Sequence, residues 1–273
     1  MTDTRVTPAE LAWQGWRESR VRALRSPYGP LALTGTFWFD GELALEDVPG
    51  IWRTTDDGVT LTATANDGVL VDGRPLDGAV EVHSDIEPEP TAVVAGGVRL
   101  VLIDREGSLA VRVYDEGSPA TAAFQGIDTY PFDERWVRPA RFTPYEAERT
   151  VRVDHVDGVQ RGLPLGGDLT FELDGAPVRL AVEVDRETRG MQAVLSDATS
   201  GQTTYRFRFL DLPAPAEDGS VIADLNRLRL PPCAFSPHFV CPFPPPGNRL
   251  GIALDAGEQQ VRSSGQTAAR AAG

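Results

Sequence analysis

Asp-Gly dipeptides recur at short intervals along the first third of the chain, at Asp40-Gly41, Asp57-Gly58, Asp67-Gly68 and Asp72-Gly73, each between or beside short apolar runs. Asp-Gly supplies the positive φ angles that tight hairpins need, and the runs it separates are too short for helices. Those at 31–39, 59–63, 69–71, 80–83, 98–103 and 109–114 read as strands, and their spacing predicts an antiparallel sandwich over 27–118.

A second strand set reads at 150–153, 169–173, 178–184, 191–195, 203–210 and 221–225, with a last short strand at 250–254. Between the sets, 121–147 mixes aromatics with Pro and Arg and reads as an irregular link. The one helix signal covers 7–25. Thr7 can cap it, Pro8 takes the favoured first position, and Glu10 follows three residues after Thr7. Leu11, Trp13, Trp16 and Leu24 give it an apolar side with Arg17, Arg20 and Arg22 interleaved, and packing against a sheet is the expectation. The fold class is therefore all-β, mainly antiparallel. It comprises an N-terminal helix (1–26), a β-sandwich (27–118), a second antiparallel β domain (119–260) and a disordered tail (261–273).

Charge narrows the partners. The 273 residues carry a net charge of −14, which repels phosphate backbones and anionic lipid heads, so neither nucleic acid nor membrane is expected. All 26 basic residues are Arg. Without a lysine there is no Schiff-base chemistry and no phosphate-binding lysine of the nucleotide-binding loops. No apolar run approaches the roughly 20 residues needed to span a bilayer. Residues 1–9 are polar and lack an apolar signal core, so a cytoplasmic location is expected. No internal repeat and no glycine fingerprint calls for a cofactor.

No standard catalytic motif occurs. Cys233, His238 and Cys241 are spaced unlike zinc ligands, and no metal is expected. The two cysteines fit a disulfide, a nucleophile with Arg227 or Arg249 nearby in sequence, or two small buried residues holding the loop 230–248 and its seven prolines. The polar groups concentrate in 197–258, and three readings stand side by side. In the first, Arg208, Arg227 and Arg249, with Tyr205, Asn226 and Asn248, bind a small anionic molecule through their guanidinium forks. In the second, a hydrolase-like enzyme uses Asp224 or Glu258 as base and Cys233 as nucleophile. In the third, the region is a scaffold whose polar side chains only cap loops.

The order of these residues is familiar. Asp197-Ala-Thr-Ser-Gly-Gln-Thr-Thr-Tyr205, Arg208-Phe-Leu, Asp224-Leu-Asn-Arg227, Pro231-Pro-Cys-Ala-Phe235, Cys241-Pro-Phe-Pro-Pro-Pro-Gly-Asn-Arg-Leu250 and Ala256-Gly-Glu258 together resemble the signature of the bacterial domain of unknown function 1684 family. The family's pattern has Gly, Phe and Asn where this chain has Phe207, Leu225 and Leu230. More weakly, Val69-Leu-Val-Asp-Gly-Arg-Pro-Leu76 resembles a hairpin of the forkhead-associated sandwich, without that fold's Gly-Arg and Ser-x-x-His phosphate-reading elements. The resemblance names no ligand and no reaction, and leaves the three readings of 197–258 open.

Overall fold

A computed structural model describes residues 6–46, 48–56 and 58–264. The described chain is mostly antiparallel β-sheet with one long N-terminal helix, α1 (Pro8–Leu24). It divides into two units. One is residues 23–123; the other takes the helix up to residue 22 together with the chain from residue 124 onward.

Among the described residues the 23–123 unit holds ten strands: β1 (Leu33–Phe39), β2 (Glu42–Leu45), β3 (Val48–Thr55), β4 (Gly58–Ala63), β5 (Val69–Val71), β6 (Arg74–Pro75), β7 (Gly78–Val82), β8 (Val93–Ala95), β9 (Val98–Arg105) and β10 (Ser108–Tyr114). They form a six-stranded sheet in the order β1-β10-β9-β8-β5-β6 and a four-stranded sheet in the order β2-β3-β4-β7. Trp52, Val59, Leu61 and Val82 from the small sheet and Val93, Leu100, Val111 and Val113 from the large one share one buried cluster, the core of a sandwich. The Asp-Gly reading explains the β5–β6 hairpin directly: Asp72 and Gly73 both take positive φ, 49° and 77°, as a two-residue type I′ turn requires. Strands β2, β3, β6 and β8 are additions to the six expected here. Pro49-Gly50 lies inside β3 and disguises it, because both residues usually mark a turn.

After α2 (Pro119–Ala123), which closes the first unit, the chain enters the other unit through β11 (Phe124–Thr129), then β12 (Val137–Asp154), β13 (Gln160–Leu173), β14 (Ala176–Val184), β15 (Met191–Leu195), β16 (Arg208–Leu212), β17 (Ser220–Asp224) and β18 (Glu258–Ser263). Six of these make one sheet in the order β16-β15-β14-β13-β12-β17, and β11 pairs β18 in a separate ribbon. The edge strands β16 and β17 approach within 8 Å between Cα atoms, so the sheet curls round its core. That core takes Phe142, Leu169, Leu180, Val182, Leu195, Leu210 and Ala223 from successive strands.

Four expectations are corrected here. The link at 121–147 carries β11 and the first half of β12. Pro139 and Pro144 hid it, and Pro144 sits where the β12–β13 register shifts, a place that tolerates proline. Residues 203–207 turn, and the strand starts only at Arg208. No strand forms at 250–254; the last one is β18, whose residues 261–263 fall inside the segment read as a disordered tail. Residues 265–273 of that tail lie outside the described residues. On α1, Leu11 is exposed and only Trp13 and Leu24 are fully buried. Among the described residues no helix is long and apolar enough to cross a membrane.

Candidate functional site

The loop 230–248 contains little regular structure, so its backbone groups need other partners. At its start Leu230 is held by Glu258 and Arg20, and polar side chains of the 197–258 region bond backbone of the elements around it. Asn248, fully buried, accepts from the Ala181 N–H at 2.8 Å and donates to the Ala181 C=O at 2.8 Å. Its Nδ2 donates a second bond to Val194 C=O at 2.9 Å. Asn226, also buried, treats Asp133 the same way, accepting from its N–H and donating to its C=O, both at 3.1 Å. Asp224 accepts from the Asn226 backbone and side chain at 3.1 and 2.9 Å and pairs with Arg227 at 3.1 Å.

Glu258 and Arg20 divide the corresponding task at Leu230. The Leu230 N–H donates to Glu258 Oε2 at 2.7 Å, and Arg20 Nη2 donates to the Leu230 C=O at 2.8 Å. Arg20 Nε closes the triangle on Glu258 Oε1 at 3.2 Å. Burial raises the Glu258 pKa, and the Arg20 cation opposes that rise. Trp13 adds a bond from its indole N–H to the Asn226 C=O at 2.9 Å. The helix is thus tied to the 226–230 segment through both Trp13 and Arg20.

Arg208 and Asp197 form the most buried ion pair, with both side chains at 0 % exposure and Nη2–Oδ2 at 2.7 Å. Arg208 also donates to the carbonyls of Leu254, Ala256 and Glu258. Residues 250–254 bond irregularly instead: the Leu250 N–H donates to the Ser196 C=O at 2.8 Å, the Ile252 C=O accepts from the Ala198 N–H at 2.9 Å, and the Leu254 C=O accepts from Arg208 at 3.0 Å. Asp197 Oδ1 accepts from the Thr199 N–H, the Thr199 hydroxyl and the Leu254 N–H. Burial would raise the Asp197 pKa, but Arg208 and Thr199 outweigh it and hold the carboxyl below its usual range.

Tyr205 and Cys233 meet in a separate cluster with Val194, Phe207, Phe209, Phe243 and Cys241. The Tyr205 hydroxyl donates to the Cys233 C=O at 3.3 Å and reaches its Sγ at 3.7 Å. Burial, and then the neighbouring thiol, push the Tyr205 pKa up to about 12.

The residues expected at the site therefore part company. Asp224, Asn226, Asn248, Arg208 and Glu258 bind backbone and each other. Arg227 pairs with Asp224, and exposed Arg249 reaches the Pro244 C=O at 3.4 Å. A groove of about 610 Å³ lies elsewhere in the same unit, between α1 and the β11–β18 ribbon. From the helix it takes Gln14, Arg17, Glu18, Val21 and Arg22; from the ribbon it takes Ile127, Glu258 and Arg262 among others. Of the expected residues only Glu258 reaches it. Positions 14, 17, 18, 21 and 22 fall on one helix face, so the helical half of this wall was visible as a polar stripe. Its partner Arg262 was not, because it belongs to the short polar strand β18.

The family model for the protein of unknown function DUF1684 matches residues 122–259, just over half of the chain. The chain belongs to the DUF1684 family. No curated protein matches it in sequence. Among solved structures, the solution NMR structure of an uncharacterized protein from Haloarcula marismortui is 29 % identical, over 50 % of this chain and 77 % of that one, with a TM-score of 0.43. The DUF1684 match takes in every side chain that fastens the 197–258 region except those of α1. The geometry also explains one glycine of the signature. Gly257 takes φ +74°, and a Cβ there would press on Leu228, whose carbonyl accepts from the Glu258 N–H at 2.7 Å.

Proposed function

We propose that this DUF1684 protein binds a small anionic molecule in the groove between α1 and the β11–β18 ribbon, where Glu258 is the one signature residue in the wall and the others fasten backbone away from the ligand. One observation carries the reading: three guanidiniums, Arg17, Arg22 and Arg262, line one hollow; Arg22 donates to the Ser19 hydroxyl at 2.8 Å and Arg262 to the Gln125 C=O at 3.4 Å, while their ion pairs with carboxylates are long. Arg22 stands 3.9 Å from Glu18 and Arg262 stands 3.7 Å from Asp128, with all four side chains more than a third exposed. Such pairs are worth about 0–1 kcal/mol, so an incoming carboxylate or phosphate can replace them. Arg17 stacks on Trp13 with its guanidinium carbon 4.9 Å from the ring centre, which leaves its N–H edges for a ligand.

Supporting context comes from the cytoplasm as the expected setting, where unbonded cysteines such as Cys233 and Cys241 stay reduced. The two-sheet sandwich of β1–β10 supports the forkhead-associated likeness as a likeness of fold. A second reading, the scaffold, is favoured by the bonds of Asn226, Asn248 and Arg208 themselves.

Thermal shift separates the two. With inorganic phosphate and citrate as probes and glucose as the neutral control, the anions raise Tm by mass action, equivalent to about 2.7 kcal/mol at a hundredfold excess over Kd. Arg17→Ala and Arg262→Ala remove the rise, while Arg249→Ala keeps it. A rise that survives both groove substitutions, or no rise with either anion, leaves the scaffold.

A further inference from the structure

Two thiols of the signature have no part in the groove. Cys233 and Cys241 are unbonded and buried, and they lie in one cluster with their sulfurs in hydrogen-bonding contact. Each is held by its own backbone anchor. Cys233 sits in the 3-10 turn Pro232–Ala234, and the Cys241 carbonyl accepts from the Val156 N–H at 3.0 Å. The Tyr205 hydroxyl faces the Cys233 sulfur. At the rim, exposed Arg206 lies over the Tyr205, Phe207 and Phe243 rings at 5.0 to 5.8 Å. A hydrogen-bond donor and a second thiol therefore meet at one sulfur, and a cation lies over the aromatic rings that surround it.

We propose that Cys233 and Cys241 form a peroxide-reactive dithiol, with Cys233 as the attacking sulfur and Cys241 as the resolving one. The asymmetry comes from the surroundings: Tyr205 and Arg206 stabilise negative charge on Cys233. In keeping with that, the Cys241 hydrogen bond and then Tyr205 and Arg206 hold the Cys233 thiol below its ordinary range against the effect of burial. The Cys233 thiolate attacks one oxygen of hydrogen peroxide, the O–O bond breaks, and hydroxide leaves. It takes up the proton lost when Cys233 ionised and becomes water. Cys241 then attacks the sulfenic sulfur, the S–O bond breaks, and the hydroxyl departs as a second water with the Cys241 proton. Two thiols and one peroxide thus give one disulfide and two waters; the sulfur pair loses two electrons and the peroxide gains them. The sulfurs have only to close to about 2 Å, and the intervening link 234–240 is already folded back.

The test uses the full chain with one equivalent of hydrogen peroxide, followed by non-reducing peptide mapping. The folded protein is expected to lose two hydrogens and yield a 233–241 cross-linked peptide that dithiothreitol reverses. Cys241→Ser is expected to stop at a sulfenic acid on Cys233 that dimedone traps, and Cys233→Ser to give no dimedone adduct on Cys241. The proposal is overturned if the folded protein keeps both thiols while the urea-unfolded chain oxidises, or if dimedone labels Cys241 in Cys233→Ser as readily as Cys233 in Cys241→Ser. The comparison of folded with unfolded wild type stands even where a serine variant fails to fold.

Discussion

Asn248 is hydrogen-bonded through its side-chain amide to both the N–H and the C=O of Ala181, as the backbone of a neighbouring strand would be. Asn226 repeats this at Asp133, and the pair Glu258 and Arg20 repeats it at Leu230. A loop with seven prolines lacks the N–H donors to extend a ladder; beside it, Asn248 closes off the backbone of Ala181 and Val194 and the Glu258–Arg20 couple that of Leu230, as a paired strand would. This accounts for the residue types better than ligand contact does, since a primary amide carries both a donor and an acceptor on one planar group.

Replacing Asn248 by Ala leaves the Ala181 N–H and two carbonyls buried without partners. Each such group costs about 1–3 kcal/mol, and the cavity adds to it. We expect Asn248→Ala to lose about 3–5 kcal/mol. Urea titration should show a lower midpoint at an unchanged slope; a loss under about 1 kcal/mol would mean the amide is replaceable by water.

The Asp197–Arg208 pair predicts a strongly non-additive cycle. Truncating one partner of a fully buried pair costs about 3–5 kcal/mol, because the other charge stays desolvated. Arg208→Met and Asp197→Leu should each be severe, and the double variant should recover a large part of the sum. Simple addition of the two losses in denaturant unfolding would show that the three carbonyls held by Arg208 matter more than the charge pairing.

How much of this was legible follows from range. The sandwich strands were readable as short apolar runs between turn residues, although of the Asp-Gly pairs Asp40-Gly41 and Asp67-Gly68 join strands of different sheets, and the β9–β10 hairpin turns at Glu106-Gly107. Strand β13 also carries its signal in plain alternation, with Leu163, Leu165, Leu169, Phe171 and Leu173 all buried. Gly162, Pro164, Gly166 and Gly167 between them masked it. Gly167 is required there, because a Cβ would strike the Phe142 ring. The signature residues stand together in one stretch of chain, but their role depends on which backbone atoms come near in space. Nothing local distinguishes an Asn that faces a ligand from one that faces Ala181. The groove was hardest to read, since its two walls are more than a hundred residues apart.

Glu183 sets a pH dependence opposite to the usual acid loss. It lies on β14 opposite Gln192, and burial raises its pKa to about 7. A carboxyl whose pKa is raised on folding contributes stability that is complete below its unfolded value and is lost as pH rises through the folded one. Each tenfold change in proton affinity is worth about 1.4 kcal/mol, so between about pH 4.5 and pH 8 this group should subtract about 2–3 kcal/mol. Glu183→Gln should flatten that slope and raise Tm at about pH 8 but not at about pH 5. Asp197 acts at the other end: its lowered pKa contributes stability above the unfolded value that is lost as pH falls through the folded one. A Glu183→Gln profile parallel to wild type across that whole range would remove Glu183 as the cause.

Two glycines of the signature separate backbone strain from crowding. Gly201 and Gly257 have nearly the same φ, +76° and +74°. A side chain at either position costs about 1–2 kcal/mol for the left-handed backbone alone. Around Gly201 an added Cβ meets nothing within 4 Å, whereas at Gly257 it would lie 2.5 Å from the Leu228 Cβ and closer still to the Leu228 carbonyl oxygen. That oxygen accepts from the Glu258 N–H, and Glu258 holds both Arg20 and Leu230. Displacing Leu228 therefore disturbs the helix anchor and the start of the proline-rich loop together. We expect Gly201→Ala to cost about 1–2 kcal/mol and Gly257→Ala to cost at least about twice that, by calorimetric melting. Amide exchange should rise at Leu230 only in the second variant, since local opening follows the loss of that bond. Equal losses in the two variants would mean that Leu228 yields freely, and that the Ala-Gly-Glu segment is governed by its backbone angle alone.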